Sequence, residues 1–191
     1  MEKSPDSNYE STIAENVKAS KVGSYSYELG LPEIFNIVEQ KRLAREMDKL
    51  IKEIDCSLPV LDVGSGTGNL AKFLVRRGVQ VVAIDLSPAM LKQNKSNDKV
   101  LCDACYLPFK NGSFGSIISY SVLSLLPEPL QALREMCRVA ARNSVLFFDG
   151  LPPYVVELKA RKYPLIHASV ERFAWLLWLV LHPKYMIRAL K

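Results

Sequence analysis

The chain has 191 residues, of which 49% are apolar and 24% are charged, as expected for a globular protein of one domain. The sequence shows neither a secretory signal nor a disulfide framework for its four cysteines, so we expect a cytoplasmic protein. The net charge is +5, and residues 157–191 account for it with seven Lys or Arg against two Glu. The excess of basic charge therefore belongs to the C-terminal part, and the rest of the chain is about neutral.

The first predicted elements precede the glycine-rich part of the chain. Residues 1–24 are polar and aperiodic, so we expect a flexible segment, or one that becomes ordered only against a ligand. A helix is predicted over about residues 32–54, because Pro32 suits its first turn and apolar residues then recur at helical spacing.

From residue 60 onward, short apolar segments alternate with helical ones. The loop GSGTG at residues 64–68 follows the first of these segments, and Ser87 and Pro88 are typical of a helix cap and a first helical position. The predicted strands are residues 60–63, 79–85, 100–104, 115–121 and 144–150. Helices are predicted at about residues 69–77, from Ser87 onward, and at about residues 128–140. Apolar strands that alternate with helices indicate a parallel sheet covered on both faces.

Polar residues stand at or near the carboxyl ends of four predicted strands. They are Asp62, Asp85, Asp103 and Tyr120. Ligands of such sheets bind beyond the carboxyl ends of the strands, where the strand order reverses. One acidic residue there is usually a cap or a solvated loop residue, whereas three at successive strand ends, one of them beside a glycine loop, indicate a binding site.

Two classes of ligand fit a glycine loop at this place. Residues 66–71 (GTGNLA) match the dinucleotide fingerprint G-x-G-x-x-A, and Asp85 lies 19 residues beyond Gly66, where a ribose-binding acid is expected. Asp62 argues against a dinucleotide, because a carboxylate just before the loop opposes a pyrophosphate. A ligand with an ammonium group and a sulfonium reverses this argument. Its ammonium group would lie by Asp62, its ribose by Asp85 and its adenine by Asp103, which is the chemistry of S-adenosylmethionine.

Four segments, VLDVGSGTG, VVAIDLSPAML, CDACYLPFKNGSFGSIISYSVLSLL and LREMCRV, carry a resemblance to a known family. Over residues 60–150 the sequence resembles the class I S-adenosylmethionine-dependent methyltransferases, and its Leu-Pro-Phe turn at residues 107–109 is similar to their small-molecule branch. The resemblance implies an α/β fold with a Rossmann-like, doubly wound, mainly parallel sheet, and S-adenosylmethionine as the cofactor. It implies that the cofactor-binding positions are Asp62, Gly64, Ser65, Gly66, Gly68, Asp85, Leu86, Met90, Asp103, Ala104, Ser119 and Tyr120. Leu86 and Met90 would flank the adenine ring, and Tyr120 would lie near the methionine part.

The chain departs from the family pattern in three places. Gly115 stands after Phe114 in the fourth strand, where the family usually has an acid. The residues ARN at 141–143 stand where the family has a glycine turn before its fifth strand. The family's final two strands, a hairpin that completes the sheet, are not recognisable after residue 150. The sequence therefore predicts a flexible segment at 1–24, an S-adenosylmethionine-binding α/β domain at 25–150, and a C-terminal apolar and basic helical segment at 151–191.

Cys102 and Cys105 form a C-x-x-C pair, but no second pair completes a zinc site, so we expect no metal. The two thiols are interpreted as core or cofactor-lining side chains, with a thiol-dependent metalloid methyltransferase as a remote alternative. We assign no catalytic side chain, because methyl transfer from a sulfonium depends mainly on positioning and on the exclusion of water.

The sequence predicts an enzyme that transfers a methyl group from S-adenosylmethionine to a small-molecule acceptor. Two alternatives stay open: a methyltransferase of nucleic acids or proteins, and a non-catalytic subunit that binds S-adenosylmethionine. The basic tail favours the first alternative, but the chain has no basic stripe rich in aromatic residues, so we expect no nucleic acid as a partner.

Residues 171–191 contain an apolar run, Phe173–Leu181, between basic residues. Its nine residues are too few to cross a bilayer as a helix, which takes about 20. A helix that is apolar all round must be buried, so we expect the run against the chain's own core, in a homodimer or on a membrane surface. The membrane alternative would make the protein peripheral to the membrane and would imply a lipophilic acceptor.

Overall fold

The computed structural model describes residues 9–18, 33–54, 56–120, 122–149, 165–169 and 184–188. Its helices are α1 (residues 9–18), α2 (Glu33–Glu53), α3 (Ala71–Val75), α4 (Pro88–Gln93) and α5 (Pro129–Val139). Its strands are β1 (Val60–Val63), β2 (Val81–Asp85), β3 (Asp98–Leu101), β4 (Phe114–Ser119), β5 (Ala140–Asp149), β6 (Leu165–Ser169) and β7 (Lys184–Arg188). A short 3-10 helix covers Leu123–Leu125.

The strands form one sheet in the order β3-β2-β1-β4-β5-β7-β6. Neighbours among β1 to β5 are parallel, and β7 runs antiparallel to β5 and β6. The first strand, β1, lies within the sheet. β2 and β3 follow outward on one side of it, and β4 lies on its other side. The strand order therefore reverses between β1 and β4, and the carboxyl ends of these two strands form the crevice in which such sheets bind ligands.

Helices cover both faces of the sheet. Successive residues of a strand point to opposite faces, so neighbouring side chains of one strand pack in different core clusters. In β5, Phe147 is buried in the core cluster that contains residues of α2 and α3, whereas Phe148 is buried in the cluster that contains residues of α5. From α2 the first cluster receives Leu43, Met47 and Leu50, which recur at the spacing of one helix face. The predicted mainly parallel sheet with helices on both faces is thereby confirmed.

Two strands, β3 and β5, differ from their predicted bounds by three or more residues at one end. β3 covers Asp98–Leu101, whereas the sequence predicts a strand at residues 100–104. Because β3 is an edge strand with three exposed residues out of four, an apolar pattern does not locate it. β5 begins at Ala140, directly after α5, and its register with β4 shifts between Phe114 and Ser116. A glycine turn is not needed there, because the helix passes directly into the strand.

The hairpin of β6 and β7 corrects the prediction that no final hairpin follows residue 150. β7 pairs with β5, with Val145 opposite Arg188, and β6 pairs with β7 on the other side. These two strands also correct the prediction of a helical segment at 151–191 for the ten residues they contain. These strands are difficult to recognise in the sequence, because each has only five residues and the sequence between them, residues 170–183, contains no glycine to signal a tight turn.

The apolar run Phe173–Leu181 lies outside the described residues, so the alternatives for its burial remain predictions, as does the division of the chain into three parts. Within the described residues, no helix is both long and apolar enough to cross a membrane. Residues 9–18 belong to the segment predicted to be flexible, yet they form α1. The physical reason lies in two contacts of α1 with the loops at the carboxyl edge of the sheet.

The Leu-Pro-Phe turn after β3 is held by a charged pair on α5. Arg138 donates hydrogen bonds to the carbonyl oxygens of Leu107 (2.8 Å) and Phe109 (2.7 Å), and Glu135 accepts one from the N–H of Leu107 (2.9 Å). Arg138 also donates to Glu135 at 2.7 Å, and this bond holds the pKa of Glu135 below its ordinary value. The network anchors the loop that carries Asp103.

Candidate functional site

The glycine loop after β1 has a backbone that glycine adopts far more readily than other residues. Gly64, Gly66 and Gly68 have φ angles of 66°, 52° and 89°, in the left-handed region. A Cβ at Gly64 would collide with Val122, and one at Gly68 would lie 2.7 Å from Oδ1 of Asn94. A Cβ at Gly66 would meet nothing within 4 Å. The loop is therefore closely packed at its outer glycines and faces open space at the middle one.

Asp85 ends β2 and joins that strand to the glycine loop. Its Oδ2 accepts a hydrogen bond from the N–H of Gly66 (2.9 Å), and its Oδ1 accepts one from the N–H of Ser87 (2.8 Å). Burial raises the pKa of Asp85, and the bonds from backbone N–H groups act in the opposite direction. The carboxylate thus fixes the loop and the start of α4 at one point.

Asp62 is a buried carboxylate near the end of β1, with only 2% of its surface exposed. Burial, followed by the charge of Asp85, raises the pKa of Asp62 to about 7, while a hydrogen bond from the N–H of Ala71 partly offsets this rise. Its Oδ2 has no hydrogen-bond partner. Its charged form is therefore destabilised in the unliganded protein.

Buried polar atoms without a partner concentrate at this edge of the sheet. Among the described residues, four side-chain atoms are buried and unpaired, and three of them are Asp62 Oδ2, Thr67 Oγ1 and Ser119 Oγ. These three lie near the end of β1, in the glycine loop and at the end of β4, and Ser119 stands opposite Val63 in the sheet. A buried polar group without a partner costs about 1–3 kcal/mol. A polar ligand at this edge of the sheet would remove that cost for each of these atoms to which it bonds.

Asp103 follows β3, and both of its carboxylate oxygens accept hydrogen bonds. Oδ1 accepts from the N–H of Cys105 (2.8 Å), and Oδ2 accepts from the hydroxyl of Tyr9 (2.6 Å). Burial and this bond to Asp103 raise the pKa of Tyr9 well above its ordinary value, so its hydroxyl keeps its proton. The partner of Asp103 thus comes from α1, a helix that the sequence does not predict.

Helix α1 lies across the carboxyl edge of the sheet. Its first residue, Tyr9, bonds to the loop after β3 and packs against the core cluster on the α5 side. Further along α1, the side-chain amide of Asn16 donates to the carbonyl oxygen of Leu125 (2.8 Å), in the segment after β4. Two contacts with separate loops explain why this polar segment is ordered.

Tyr120, just beyond β4, receives a hydrogen bond from α2. Nη2 of Arg42 donates to the hydroxyl of Tyr120 at 2.7 Å. Tyr120 is half-buried and packs against the core cluster on the α2 side. A cationic side chain that the sequence analysis did not single out therefore stands beside one of the predicted site residues.

The other predicted site residues lie on the same loops. Ser65 and Ala104 are buried, and Leu86 and Met90 are half-buried at the start of the segment after β2. The structure thus brings every predicted site residue to the carboxyl edge. Three residues of this edge are not predicted from the sequence: Tyr9, Arg42 and Asn94. Their hydrogen bonds join residues far apart in the chain, so no short stretch of sequence contains both partners.

The C-x-x-C pair holds two protonated thiols. Burial, followed by the nearby Asp103, raises the pKa of Cys102 to about 11. The pKa of Cys105 also rises to about 11, chiefly through burial, and its Sγ contacts the carbonyl oxygen of Glu128 at 3.6 Å. Both thiols are therefore poor nucleophiles at neutral pH. In the described part of the chain, no group of three His, Cys, Asp or Glu side chains could hold a metal ion.

Comparison with known proteins identifies this fold. Residues 61–148 match the family model of a methyltransferase domain. A demethylmenaquinone methyltransferase of Paenarthrobacter aurescens (strain TC1) is 34% identical over 136 residues, which are 69% of this chain and 46% of that protein. An 18S rRNA (guanine-N(7))-methyltransferase of Bos taurus is 33% identical over 123 residues, or 59% of this chain and 44% of that protein. The chain thus spans less than half of either relative.

A solved structure supports the same assignment of the fold. The magnesium protoporphyrin IX methyltransferase of Synechocystis PCC 6803, with bound S-adenosylmethionine, superposes with a TM-score of 0.63 at 15% identity, over 87% of this chain and 89% of that one. Residues 61–148 are thus similar to a methyltransferase domain, and the fold is that of a solved methyltransferase structure that contains S-adenosylmethionine. The unpaired polar atoms and the acidic crevice fit such a cationic, polar cofactor.

We expect Asp62→Asn to stabilise the unliganded protein more at about pH 8 than at about pH 5. The folded pKa of Asp62 is raised to about 7, so its buried charge costs stability progressively as the pH rises from the ordinary carboxyl pKa to that value. An uncharged amide does not carry this cost, and the gain in melting temperature at the higher pH should exceed the gain at the lower pH by several degrees. Thermal unfolding followed by circular dichroism measures it.

Asp98→Asn is the matched control, because Asp98 is exposed on β3. If Asp62→Asn changes the melting temperature equally at both pH values, Asp62 does not titrate as a buried carboxyl group.

Proposed function

We propose that the protein transfers a methyl group from S-adenosylmethionine to a small-molecule acceptor. The observation that carries this proposal is the set of three unpaired buried polar atoms near the switch between β1 and β4, one of which belongs to Asp62, beside the half-buried carboxylate of Asp85. A ligand that occupies this crevice has to be polar, and it should be cationic rather than anionic, because two carboxylates border it.

In the proposed orientation, the ammonium group of the cofactor lies by Asp62, its ribose hydroxyls bond to Asp85, and its adenine amino group bonds to Asp103. Support comes from the burial of Asp62, from the free side of Gly66 and from the acceptor oxygens of the other two carboxylates. The remaining residues proposed to line the cofactor are Gly64, Ser65, Gly68, Leu86, Met90, Ala104, Ser119 and Tyr120.

When bound, the cofactor supplies a methyl group on a sulfonium, which is already a good leaving group. The residues of the crevice then have to orient the cofactor and exclude water, and these two effects supply the catalysis we propose. Neither Cys102 nor Cys105 is suited to act as a nucleophile, because both pKa values are about 11. We therefore propose no covalent intermediate on the protein.

A small acceptor is favoured by the cover over the crevice and by the distribution of charge. Helix α1 bonds to the loops after β3 and β4, which narrows the carboxyl edge. Recognition of a nucleic acid backbone needs many Lys and Arg side chains, and outside residues 157–191 the chain is about neutral. The relatives include one named for a quinone and one named for a ribosomal RNA, so both classes of acceptor enter the test.

We expect S-adenosylhomocysteine, the product form of the cofactor, to bind in calorimetric titration, and NAD not to bind. Asp85→Asn should weaken S-adenosylhomocysteine by about 1.5–3 kcal/mol, because it removes the charge that accepts the ribose hydroxyls. The amide keeps an acceptor oxygen for a backbone N–H, so the glycine loop should hold. Asp98→Asn is the control for an exposed carboxylate of the same sheet. Tight NAD binding by the parent protein contradicts the proposed cofactor site.

For the acceptor, we expect a methyl label from S-adenosylmethionine to enter the small-molecule fraction of an extract of the source organism. The transferred label should survive both nuclease and protease treatment, and Asp85→Asn should lose it. Label released by nuclease indicates an RNA acceptor and contradicts the proposal. Binding of S-adenosylhomocysteine without any transfer of label indicates a non-catalytic subunit.

A further inference from the structure

Asn94 is a buried polar residue to which neither the sequence nor the family resemblance assigns a role. It follows α4 directly, its exposed surface is 2%, and its own N–H bonds to the carbonyl oxygen of Met90 (3.1 Å). We propose that Asn94 is a positioning residue that fixes the glycine loop in the shape required to bind the cofactor. This inference rests on the cofactor placement proposed above.

The side-chain amide of Asn94 uses both its donor and its acceptor groups. Nδ2 donates to Oγ of Ser65 (3.0 Å) and to the carbonyl oxygen of Gly66 (3.2 Å). Oδ1 accepts from the N–H of Ser96 (2.9 Å). It also lies 2.7 Å from the position that a Cβ at residue 68 would occupy. One side chain therefore contacts three of the five loop residues, Ser65, Gly66 and Gly68.

Gly66 is held on both sides as a result. Its N–H donates to Asp85 and its carbonyl oxygen accepts from Asn94, so the orientation of both flanking peptide groups is determined. A loop with three glycines in the left-handed region has many alternative conformations, and ordering it requires interactions from outside the loop. The carbonyl oxygen of Ile84 accepts from the N–H of Ser65 (2.8 Å), and Asp85 and the side chain of Asn94 supply further interactions.

Asn94→Asp tests this role with little change in shape. The charged carboxylate still accepts from Ser96, but it loses both donors and faces the carbonyl oxygen of Gly66. We expect S-adenosylhomocysteine to bind about tenfold more weakly, the loss of roughly one buried hydrogen bond. Asn94→Ala, which adds no charge, should weaken binding similarly. Asn97→Asp is the control at an exposed asparagine outside the loop.

Two further measurements separate positioning from a merely structural role. Lowering the pH from about 8 to about 5.5 protonates a buried carboxyl group, which can donate again, so Asn94→Asp should approach the affinity of the parent while Asn94→Ala keeps its deficit. Amide hydrogen exchange in the unliganded variants should quicken at residues 64–68, with little change in the rest of the sheet.

The outcomes distinguish this inference from the proposed function. Unchanged affinity in both variants, measured well below their melting temperatures, overturns the role of Asn94 even if the variants are less stable. Unchanged exchange at residues 64–68 overturns it as well. If the parent protein does not bind S-adenosylhomocysteine, the proposed function fails. Faster amide exchange at residues 64–68 in the variants would still support Asn94 as the residue that fixes the conformation of the loop.

A different observation, the bond from Tyr9 to Asp103, carries a second inference. We infer that Tyr9 competes with the cofactor for the carboxylate of Asp103, so that α1 closes the adenine end of the crevice in the unliganded protein. The hydroxyl of Tyr9 lies 2.6 Å from Oδ2, and Oδ1 is already bonded to the N–H of Cys105. The ring packs against the core, which holds the hydroxyl at this oxygen.

Tyr9→Phe removes the hydroxyl and keeps the ring, so S-adenosylhomocysteine should bind about threefold to tenfold more tightly, the loss of one competing hydrogen bond. Tyr106→Phe is the control, because Tyr106 is 64% exposed. Weaker binding by Tyr9→Phe means that Tyr9 supports the bound cofactor, and unchanged binding means that it does not compete; either result overturns the inference. Adenosine, titrated in parallel, should show the same gain if the competition takes place at the adenine end.

Discussion

The shape of the crevice depends on the hydrogen bonding of one half-buried carboxylate, that of Asp85. It accepts the N–H of Gly66 in the loop after β1 and the N–H of Ser87 at the start of α4, so a single side chain joins β2, the glycine loop and the next helix. Burial raises its pKa, and the N–H groups that it orients lower it again. The charge and the loop therefore stabilise each other.

We propose that the neighbouring Asp62 makes the crevice selective for positive charge. Burial, and next the charge of Asp85, raise its pKa to about 7, so a charged Asp62 is costly in the unliganded protein. A cation bound between the two lowers this cost, whereas a pyrophosphate would add a third negative group to a poorly solvated place. The cost of burying negative charge thus favours the binding of S-adenosylmethionine and opposes the binding of a dinucleotide, even though the glycine loop comes close to the dinucleotide fingerprint.

Those parts of the site that could be predicted have local signals. Asp62 and Asp85 each stand within an apolar strand at its carboxyl end, and parallel strands bring such ends together. Tyr9, Arg42 and Asn94 form hydrogen bonds across 94, 78 and 29 residues, and no pattern within a short window contains both partners. The final hairpin is not predicted for the same reason. Its short strands are defined by the pairing of β7 with β5 and of β6 with β7, and not by their own periodicity.

The three acids at the strand ends act on the protein's own backbone as well as on the proposed ligand. Each accepts a backbone N–H near the crevice, from Ala71, from Gly66 and Ser87, and from Cys105. Binding and local structure are therefore coupled: a ligand that stabilises the charged carboxylates also strengthens the bonds that shape the loops. An amide in place of a carboxylate removes the charge and keeps an acceptor, whereas alanine removes both. The difference in affinity between these two replacements therefore measures how much of the binding energy depends on the order of the loops.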